Sequence, residues 1–200
     1  MSVLVGKTAP DFTAPAVMAN NQIVENFNLR EHTKGKYAVL FFWPLDFTFV
    51  CPSEIIAFSN RAADFKARNT EIIGISVDSQ FTHFAWRNTP VEKGGVGAIK
   101  FPMIADLTKS IARDYDVLIN DAVALRGTFL IGPDGIVRHQ TVNDLPLGRN
   151  VDETLRMVDA LQFFDENGEV CPAGWHKGDA GMKATADGVA SYLAKHAQEL

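Results

Sequence analysis

The strongest constraint on the fold is an apolar run, YAVLFFWPL, which extends from Tyr37 to Leu45 without a charged side chain. A strand with one face in water alternates polar and apolar residues, and this run does not alternate. It is typical of a central strand that is covered on both faces. The pattern that follows, PSEIIAFSNRAADFKARN, begins with Pro52 at a favoured first helical position and repeats apolar residues at helical spacing. The two segments predict a strand that leads directly into a helix.

Segments of the same two types alternate further along the chain. Apolar runs predict strands at TEIIGISVD and FPMIAD, and helical patterns follow them at QFTHFAWRNTPVE and LTKSIARDYDV. The segment RGTFLIGPDGIVRHQTVND predicts a hairpin, since Pro133, Asp134 and Gly135 suit a tight turn. A long amphipathic helix, NVDETLRMVDALQFF, comes next. The order β-α-β-α-β-α-β-β-α predicts an α/β fold with a mixed central sheet flanked by helices.

The character of the sequence changes at Asp165. The segment DENGEVCPAGWHKGDAGMKAT is rich in glycine and polar residues, and a short helical pattern, ADGVASYLAKHAQEL, follows it. We predict one structural unit with two parts, a domain at residues 1–164 and a C-terminal arm at 165–200. The arm is expected to lie on the surface of the domain or on a second subunit.

Charge and hydropathy exclude several functions. The formal net charge is −5, and no stripe of lysine and arginine is present to neutralise the phosphates of a nucleic acid. The N-terminus has no basic stretch followed by a long apolar one, and no apolar run reaches the length that spans a bilayer. We therefore expect a cytoplasmic protein with no nucleic-acid or membrane partner. Thiols stay reduced in that compartment, which favours a catalytic role for the two cysteines over a structural one.

One of the two cysteines, Cys51, lies between the apolar strand and the helix, in PLDFTFVCPSE. Three roles are open for it: a buried inert side chain, half of a disulfide, or a nucleophile. The first turn of a helix has unpaired N–H groups and a dipole that favours negative charge, and the thiolate is the reactive form of cysteine. The position of Cys51 is therefore compatible with a nucleophile and does not exclude an inert thiol.

Three residues are candidates for the surroundings of this thiol. Thr48 stands three positions before Cys51, and its hydroxyl can both donate and accept a hydrogen bond. Arg126, directly before the apolar strand GTFLI, is the arginine best suited to stabilise a thiolate because it emerges at a sheet edge. Pro44 is expected to shield the pocket from water. Taken singly, Thr48 and Pro44 could also be ordinary loop residues.

The segment PLDFTFVC resembles the P-x-x-x-T-x-x-C signature of the peroxiredoxins. The similarity continues through nearly the whole chain, in order, at KTAPDF, FFWPLDFTFVCPSE, SVDSQFTHFAW, GGVG, FPMIAD, LRGTFLIGPDG and GEVCPAGW. A short motif alone is a weak indication, whereas seven matches in order are a strong one. The chain is identified as similar to the typical two-cysteine class of that family.

This resemblance implies a thioredoxin-like fold and the reduction of hydrogen peroxide and organic hydroperoxides by a thiol. The site residues that it implies are Cys51, Thr48, Pro44, Arg126, Glu54 and Arg149. Cys51 would be the peroxidatic nucleophile and would become a sulfenic acid. Thr48 and Arg126 would hold both peroxide oxygens in line with the sulfur. Glu54 and Arg149 match the acidic and second basic positions that hold the pocket arginine in place.

The resemblance also implies that Cys171 is the resolving cysteine, which condenses with the sulfenic acid to form a disulfide. Sequence spacing leaves open whether this bond lies within one chain, but in the family it joins two subunits of a head-to-tail homodimer. Such dimers assemble into a decameric ring, with contacts expected at the Phe47 loop and the turn from Ser79 to His83. A thioredoxin-like protein or a flavoprotein disulfide reductase would reduce the bond. No metal and no bound organic cofactor is implied.

Other functions remain as alternatives. A general disulfide oxidoreductase is expected to carry Cys-x-x-Cys, but Cys51 is followed by Pro-Ser-Glu. A holdase-type chaperone or a redox-signalling platform could use the same fold, alone or together with peroxidase activity. Cys171 and His176 could suggest a metal site, but two ligands without partners make a poor one. His83 is expected to be a packed helix residue rather than a base.

Overall fold

The computed structural model describes residues 2–198. It has two compact units, one up to Val151 and one from Asp152 onward. The strands of the first unit are β1 Thr13–Val17, β2 Ile23–Asn28, β3 Tyr37–Phe42, β4 Thr70–Ser76, β5 Met103–Ala105, β6 Leu118–Ile119, β7 Val123–Ala124, β8 Arg126–Ile131 and β9 Val137–Asn143. Its helices are α1 Leu29–His32, α2 Cys51–Asn60, α3 Ala62–Lys66, α4 Gln80–Asn88 and α5 Ser110–Asp114. Helix α6 spans Val151–Asn167, and α7 spans Ala186–His196.

Seven strands of the first unit form one mixed sheet in the order β2-β1-β5-β4-β3-β8-β9. Strand β4 runs parallel to both β3 and β5, and the other neighbouring strands are antiparallel. Strand β3 is therefore an interior strand, and every residue of it after Tyr37 is buried. This arrangement confirms the predicted central strand and the predicted α/β fold with a mixed sheet.

The two faces of β3 enter different apolar layers, because successive side chains of a strand point to opposite faces. Leu40 and Phe42 belong to the main hydrophobic core of the first unit. Phe41 faces the other way and stacks on Phe58 of α2, with 4.3 Å between the ring centroids. This contact holds α2 against β3 and so limits the movement of the loop between them, which leads to Cys51.

The single long helix predicted after Pro52 is in fact two helices, because Arg61 leaves helical geometry with a ψ of 7°. The amide of Arg61 donates hydrogen bonds to the carbonyl oxygens of both Ala57 and Phe58, which tightens the last turn of α2. Helix α2 also begins one residue earlier than predicted, so Cys51 itself belongs to its first turn. The hydrophobic pattern continues across Arg61, which is why it shows no break there.

The hydrophobic pattern does not predict β1 and β2. Strand β1 contains Pro15, which has no N–H to donate to a neighbouring strand and disfavours a central position. The register between β1 and β2 shifts between Ala14 and Ala16, where the ladder accommodates the proline. Only the tertiary pairing of β1 with β5 makes this segment part of the sheet.

The hairpin predicted at Pro133, Asp134 and Gly135 is present and joins β8 to β9. The amide of Gly135 donates to the carbonyl oxygen of Gly132 at 2.9 Å, which closes the turn. Gly135 has a φ of 79°, a conformation that glycine adopts without steric cost. The turn fixes the register of β8, the strand that begins with Arg126.

The second unit contains α6, a loop and α7. A bridge between Val170 and Met182 closes the loop, and Trp175 is buried against Phe163 with 4.9 Å between ring centroids. Residue 165 lies within α6, and the division into a domain at 1–164 and an arm at 165–200 stays a prediction. Among residues 2–198, no helix has the length and apolar content needed to cross a membrane.

Candidate active site

Cys51 lies in the first unit where β3 has ended and α2 begins. Its side chain has no exposed surface, so a substrate must enter a pocket to reach the sulfur. Pro44 is buried in the loop that precedes it. The start of α2 has no side-chain cap among the described residues, and Val50 occupies the capping position. The positive end of the helix dipole is thus available to a negative charge on Cys51.

Thr48 makes the shortest contact with the sulfur. Its hydroxyl oxygen, Oγ1, lies 3.0 Å from Cys51 Sγ and 2.8 Å from the carbonyl oxygen of Leu45. The hydroxyl has one proton, so it can donate to Leu45 while it accepts from a thiol, or donate to a thiolate. The same group is therefore suited to both protonation states of Cys51.

Arg126 reaches the sulfur from the other side. Its Nη1 lies 3.3 Å from Cys51 Sγ and 2.6 Å from Glu54 Oε2, and its Nε donates to the carbonyl oxygen of Leu145 at 2.7 Å. Arg126 is the first residue of β8, which pairs antiparallel with β3. The beginning of β8 therefore lies near the end of β3, where the loop to Cys51 starts. This pairing brings together two residues that are distant in sequence.

Glu54 holds a second buried arginine as well. Arg149 binds Glu54 in a forked arrangement, with Nε 2.8 Å from Oε1 and Nη2 2.9 Å from Oε2. The guanidinium also lies 5.1 Å above the ring of Phe41. Burial lowers the pKa of Arg149, and the interaction with Glu54 opposes that shift. One carboxylate between two guanidiniums leaves a net positive charge near the sulfur.

The site residues predicted at separate positions in the sequence thus lie close together in the first unit. Thr48, Cys51, Arg126 and Glu54 are linked directly by hydrogen bonds, and Arg149 joins them through Glu54. The carbonyl oxygen of Leu145, which orients Arg126, was missed because a backbone acceptor leaves no signal in a sequence. No group of three or more histidine, cysteine or acidic side chains within residues 2–198 is arranged to bind a metal.

Asp46, in the loop before Cys51, makes two side-chain contacts that the sequence did not reveal. Its carboxylate accepts a hydrogen bond from Trp43 Nε1 at 2.9 Å and lies 2.7 Å from Nδ1 of His83. The other ring nitrogen of His83, Nε2, lies 3.1 Å from the carbonyl oxygen of Ile104. Burial raises the pKa of Asp46, and the hydrogen bond with His83 opposes that effect. His83 therefore holds the loop before Cys51 to α4 and β5.

Cys171 lies in the second unit, in the loop between α6 and α7. Its thiol donates a hydrogen bond to the carbonyl oxygen of Ala160 at 3.4 Å. Burial raises the pKa of Cys171, and the nearby positive charge of Arg156 lowers it by a smaller amount. Arg156 in turn donates to the carbonyl oxygen of Trp175 at 2.8 Å. At rest, therefore, Cys171 is held as a thiol.

We expect Cys171 to be alkylated slowly in the folded protein. In a Cys51→Ser variant, the rate of alkylation by iodoacetamide is measured as a function of pH, and its midpoint is the pH at which the rate is half-maximal. This midpoint should lie at a higher pH in the folded chain than in the same chain unfolded in urea, because a raised pKa leaves less thiolate at any given pH. Arg156→Ala should move the folded midpoint still higher, since it removes the opposing positive charge. Equal midpoints for the folded and unfolded chain would show that burial does not hold Cys171 as a thiol.

Two family descriptions match the chain. The AhpC/TSA family matches residues 5–140, and the C-terminal domain of 1-Cys peroxiredoxin matches residues 160–195. The first match includes Cys51 and the second includes Cys171. The first match lies within the first unit and the second match within the second unit.

Individual relatives agree with these matches over nearly their full length. Alkyl hydroperoxide reductase C of Helicobacter pylori is 62% identical over 198 residues, which are 99% of this chain and 100% of that protein. Peroxiredoxin-2 of Mus musculus is 54% identical over 193 residues, which are 96% of each chain. The structure of reduced 2-Cys peroxiredoxin from Plasmodium vivax matches with a TM-score of 0.93 and 52% identity, over 96% of this chain and 100% of that one. The chain therefore belongs to the AhpC/TSA family and is a typical two-cysteine peroxiredoxin with the thioredoxin-like fold.

Proposed function

We propose that this protein is a thiol peroxidase that reduces hydrogen peroxide and organic hydroperoxides through Cys51. The observation that carries the proposal is the pair of donors on the buried sulfur. Thr48 Oγ1 lies at 3.0 Å and Arg126 Nη1 at 3.3 Å. Both groups are in place before a substrate arrives, so little reorganisation is needed during the reaction.

In the first step, the thiolate of Cys51 attacks the terminal oxygen of a peroxide R–O–OH. A sulfur–oxygen bond forms as the oxygen–oxygen bond breaks, so the sulfur is oxidised to a sulfenic acid and the peroxide is reduced. The leaving oxygen takes up the proton that the thiol released, which gives an alcohol, or water when R is hydrogen. Thr48 and Arg126 donate hydrogen bonds to the oxygens as negative charge moves between them. Glu54 and Arg149 keep the guanidinium of Arg126 in position.

In the second step, the thiol of Cys171 condenses with the sulfenic acid to give a disulfide and water. By resemblance to the family, we assign this bond to two subunits of a head-to-tail homodimer. A thioredoxin-like protein or a flavoprotein disulfide reductase then supplies two electrons and restores both thiols. A reducing compartment such as the cytoplasm suits this cycle, because it keeps thiols reduced between turnovers.

We also propose that the dimers assemble into a decameric ring. Phe47 and Phe81 expose more than half of their side chains on the loop and the turn that the family resemblance assigns to ring contacts. Large apolar side chains in that position are typical of surfaces that a second subunit covers. Sizing of the reduced and oxidised protein in solution tests this assembly.

The test of the two-cysteine cycle is a Cys171→Ser variant. We expect each subunit of this variant to consume one peroxide and then stop, because the sulfenic acid at Cys51 has no thiol to condense with. The wild type should continue to turn over with thioredoxin and thioredoxin reductase, measured as NADPH consumption. Normal turnover of the variant would contradict the resolving role of Cys171.

A non-reducing gel separates the two possible disulfides. Wild-type protein treated with peroxide should migrate as a covalent dimer, and Cys171→Ser should remain monomeric under the same treatment. A monomeric wild-type band without free thiols would indicate a bond within one chain. That result would change the assignment of the disulfide but leave the peroxidase step intact.

A further inference from the structure

The end of the central sheet that lies away from Cys51 carries a group of lysines. Strands β3 and β5 both run parallel to β4, so all three begin at the same end of the sheet, whereas Cys51 follows the opposite end of β3. Lys36 stands directly before β3, and Lys100 stands three positions before β5. Lys66 is the last residue of α3, which leads into β4. The topology therefore brings together lysines that are distant in sequence.

These lysines line a cleft of the first unit with a volume of about 600 Å³. Ile72 and Phe101 also line it, and because both side chains are almost fully buried they form an apolar base. Ala62 and Ala63 of α3 add small apolar side chains to the wall. Clefts of this volume are typical of sites for small molecules. The cleft therefore has room for an organic ligand as well as for a single ion.

Positive charge exceeds negative charge in this cleft. Among the described residues that line it, Glu71 is the only acidic one, and its carboxylate lies 2.5 Å from Lys36 Nζ. His32 and Lys36 lower the pKa of Glu71 to about 2, so the carboxylate is charged at neutral pH and neutralises Lys36. Within residues 2–198, the ammonium groups of Lys66 and Lys100 have no hydrogen-bond or ion-pair partner. A chain with a net charge of −5 thus has a cleft with uncompensated positive charge.

We propose that this cleft binds a small molecule that carries a diphosphate group. The ammonium group of lysine is a compact charge that binds phosphate, and a cleft concentrates the field of such charges. A carboxylate would neutralise only one of Lys66 and Lys100, whereas a diphosphate has enough charge for both. The organic part of a diphosphate ester would lose contact with water against the apolar base. The site lies at the other end of the sheet from Cys51, so it is independent of the proposed peroxidase activity.

The test is isothermal titration calorimetry on the reduced, full-length protein with inorganic pyrophosphate, ADP and adenosine. We expect pyrophosphate and ADP to bind and adenosine, which has no phosphate, not to bind. Lys66→Gln and Lys100→Gln should each weaken the binding of pyrophosphate about threefold, and the double variant about tenfold, because each exposed charge makes a modest contribution. Added salt should weaken binding to the wild type, since ions screen these charges.

Two further variants separate charge from structure. Glu71→Gln should strengthen the binding of pyrophosphate about threefold, because it releases Lys36 from its ion pair. Lys7→Gln is the matched control, since Lys7 is an exposed lysine of the first unit that does not line the cleft, and its affinity should equal that of the wild type. Melting temperatures check the fold of every variant. Oxidation of Cys51 by hydrogen peroxide should be unchanged in Lys66→Gln and Lys100→Gln.

Absence of binding by both pyrophosphate and ADP would overturn the diphosphate site. Equal affinity of the wild type and the double lysine variant would place the anion elsewhere and would also overturn it, as would adenosine that binds as tightly as ADP. Weaker binding in Glu71→Gln with an unchanged melting temperature would contradict the charge balance on which the site rests. Tighter binding of ADP than of pyrophosphate would support a contact between the nucleoside and the apolar base. Failure of Cys51 to react with peroxide would contradict only the proposed function.

Discussion

Cys51→Ser should abolish peroxide consumption, with a loss of at least about three orders of magnitude in turnover. A serine hydroxyl is not ionised near neutral pH and cannot accept the peroxide oxygen as a thiolate does. The replacement is nearly the same size, and Thr48 and Arg126 can still form hydrogen bonds with it, so the fold should be retained. Peroxide disappearance with dithiothreitol as reductant measures the loss, and circular dichroism checks the fold.

The control for this experiment is Cys171→Ser with the same reductant. Dithiothreitol can reduce the sulfenic acid directly, so this variant should still consume peroxide although it lacks the second thiol. Turnover of Cys51→Ser at a substantial fraction of the wild-type rate would place the nucleophile elsewhere in the chain. Equal losses in both variants would mean that the two cysteines cannot be assigned to separate steps.

Glu54→Gln should cause the largest loss of stability among substitutions in the pocket. The carboxylate lies between the buried guanidiniums of Arg126 and Arg149 and accepts hydrogen bonds from both. Its removal leaves two buried positive charges without a counter-charge, which costs about 3–5 kcal/mol in the free energy of unfolding. Urea denaturation monitored by tryptophan fluorescence measures this change. Oxidation of Cys51 should also slow, because Arg126 loses the group that orients it.

Glu153→Gln is a matched control, since Glu153 forms an ion pair with Arg156 but its side chain is 49% exposed. Water screens such a pair, so we expect a change of less than about 1 kcal/mol. A double variant, Glu54→Gln with Arg149→Met, should recover part of the stability because it removes one of the two uncompensated charges. If Glu54→Gln destabilised the protein no more than Glu153→Gln, the buried carboxylate would not be needed to hold the two arginines.

Part of the pocket could be predicted from the sequence because Thr48 and Cys51 are close together in the chain, and the family resemblance added Glu54. Thr48, Cys51 and Glu54 are spaced three residues apart in the sequence. Thr48 precedes α2, whereas Cys51 and Glu54 lie within its first turn, on the same face of the helix. The apolar run of β3 could likewise be assigned, since a segment without alternation must be covered on both faces. These features depend on local sequence alone.

Other features were decided only by tertiary structure. Arg126 reaches the sulfur because β8 pairs with β3, and Arg149 reaches Glu54 from the loop before α6. The sequence made Arg126 a candidate because it stands directly before an apolar strand, and the family resemblance added Arg149, but no local pattern gives the contacts that either arginine makes. The acceptor for Arg126 is a backbone oxygen, which every residue possesses.

The sequence by itself determined the central strand, the start of the helix that follows it and the position of Cys51 between them, because hydrophobic period and helical spacing act over a few residues. Tertiary structure decided the position of β1 in the sheet and the contacts of both arginines with Glu54. These depend on contacts between segments far apart in the chain. Pairing across the sheet can override a weak strand preference, and burial makes a carboxylate between two arginines necessary.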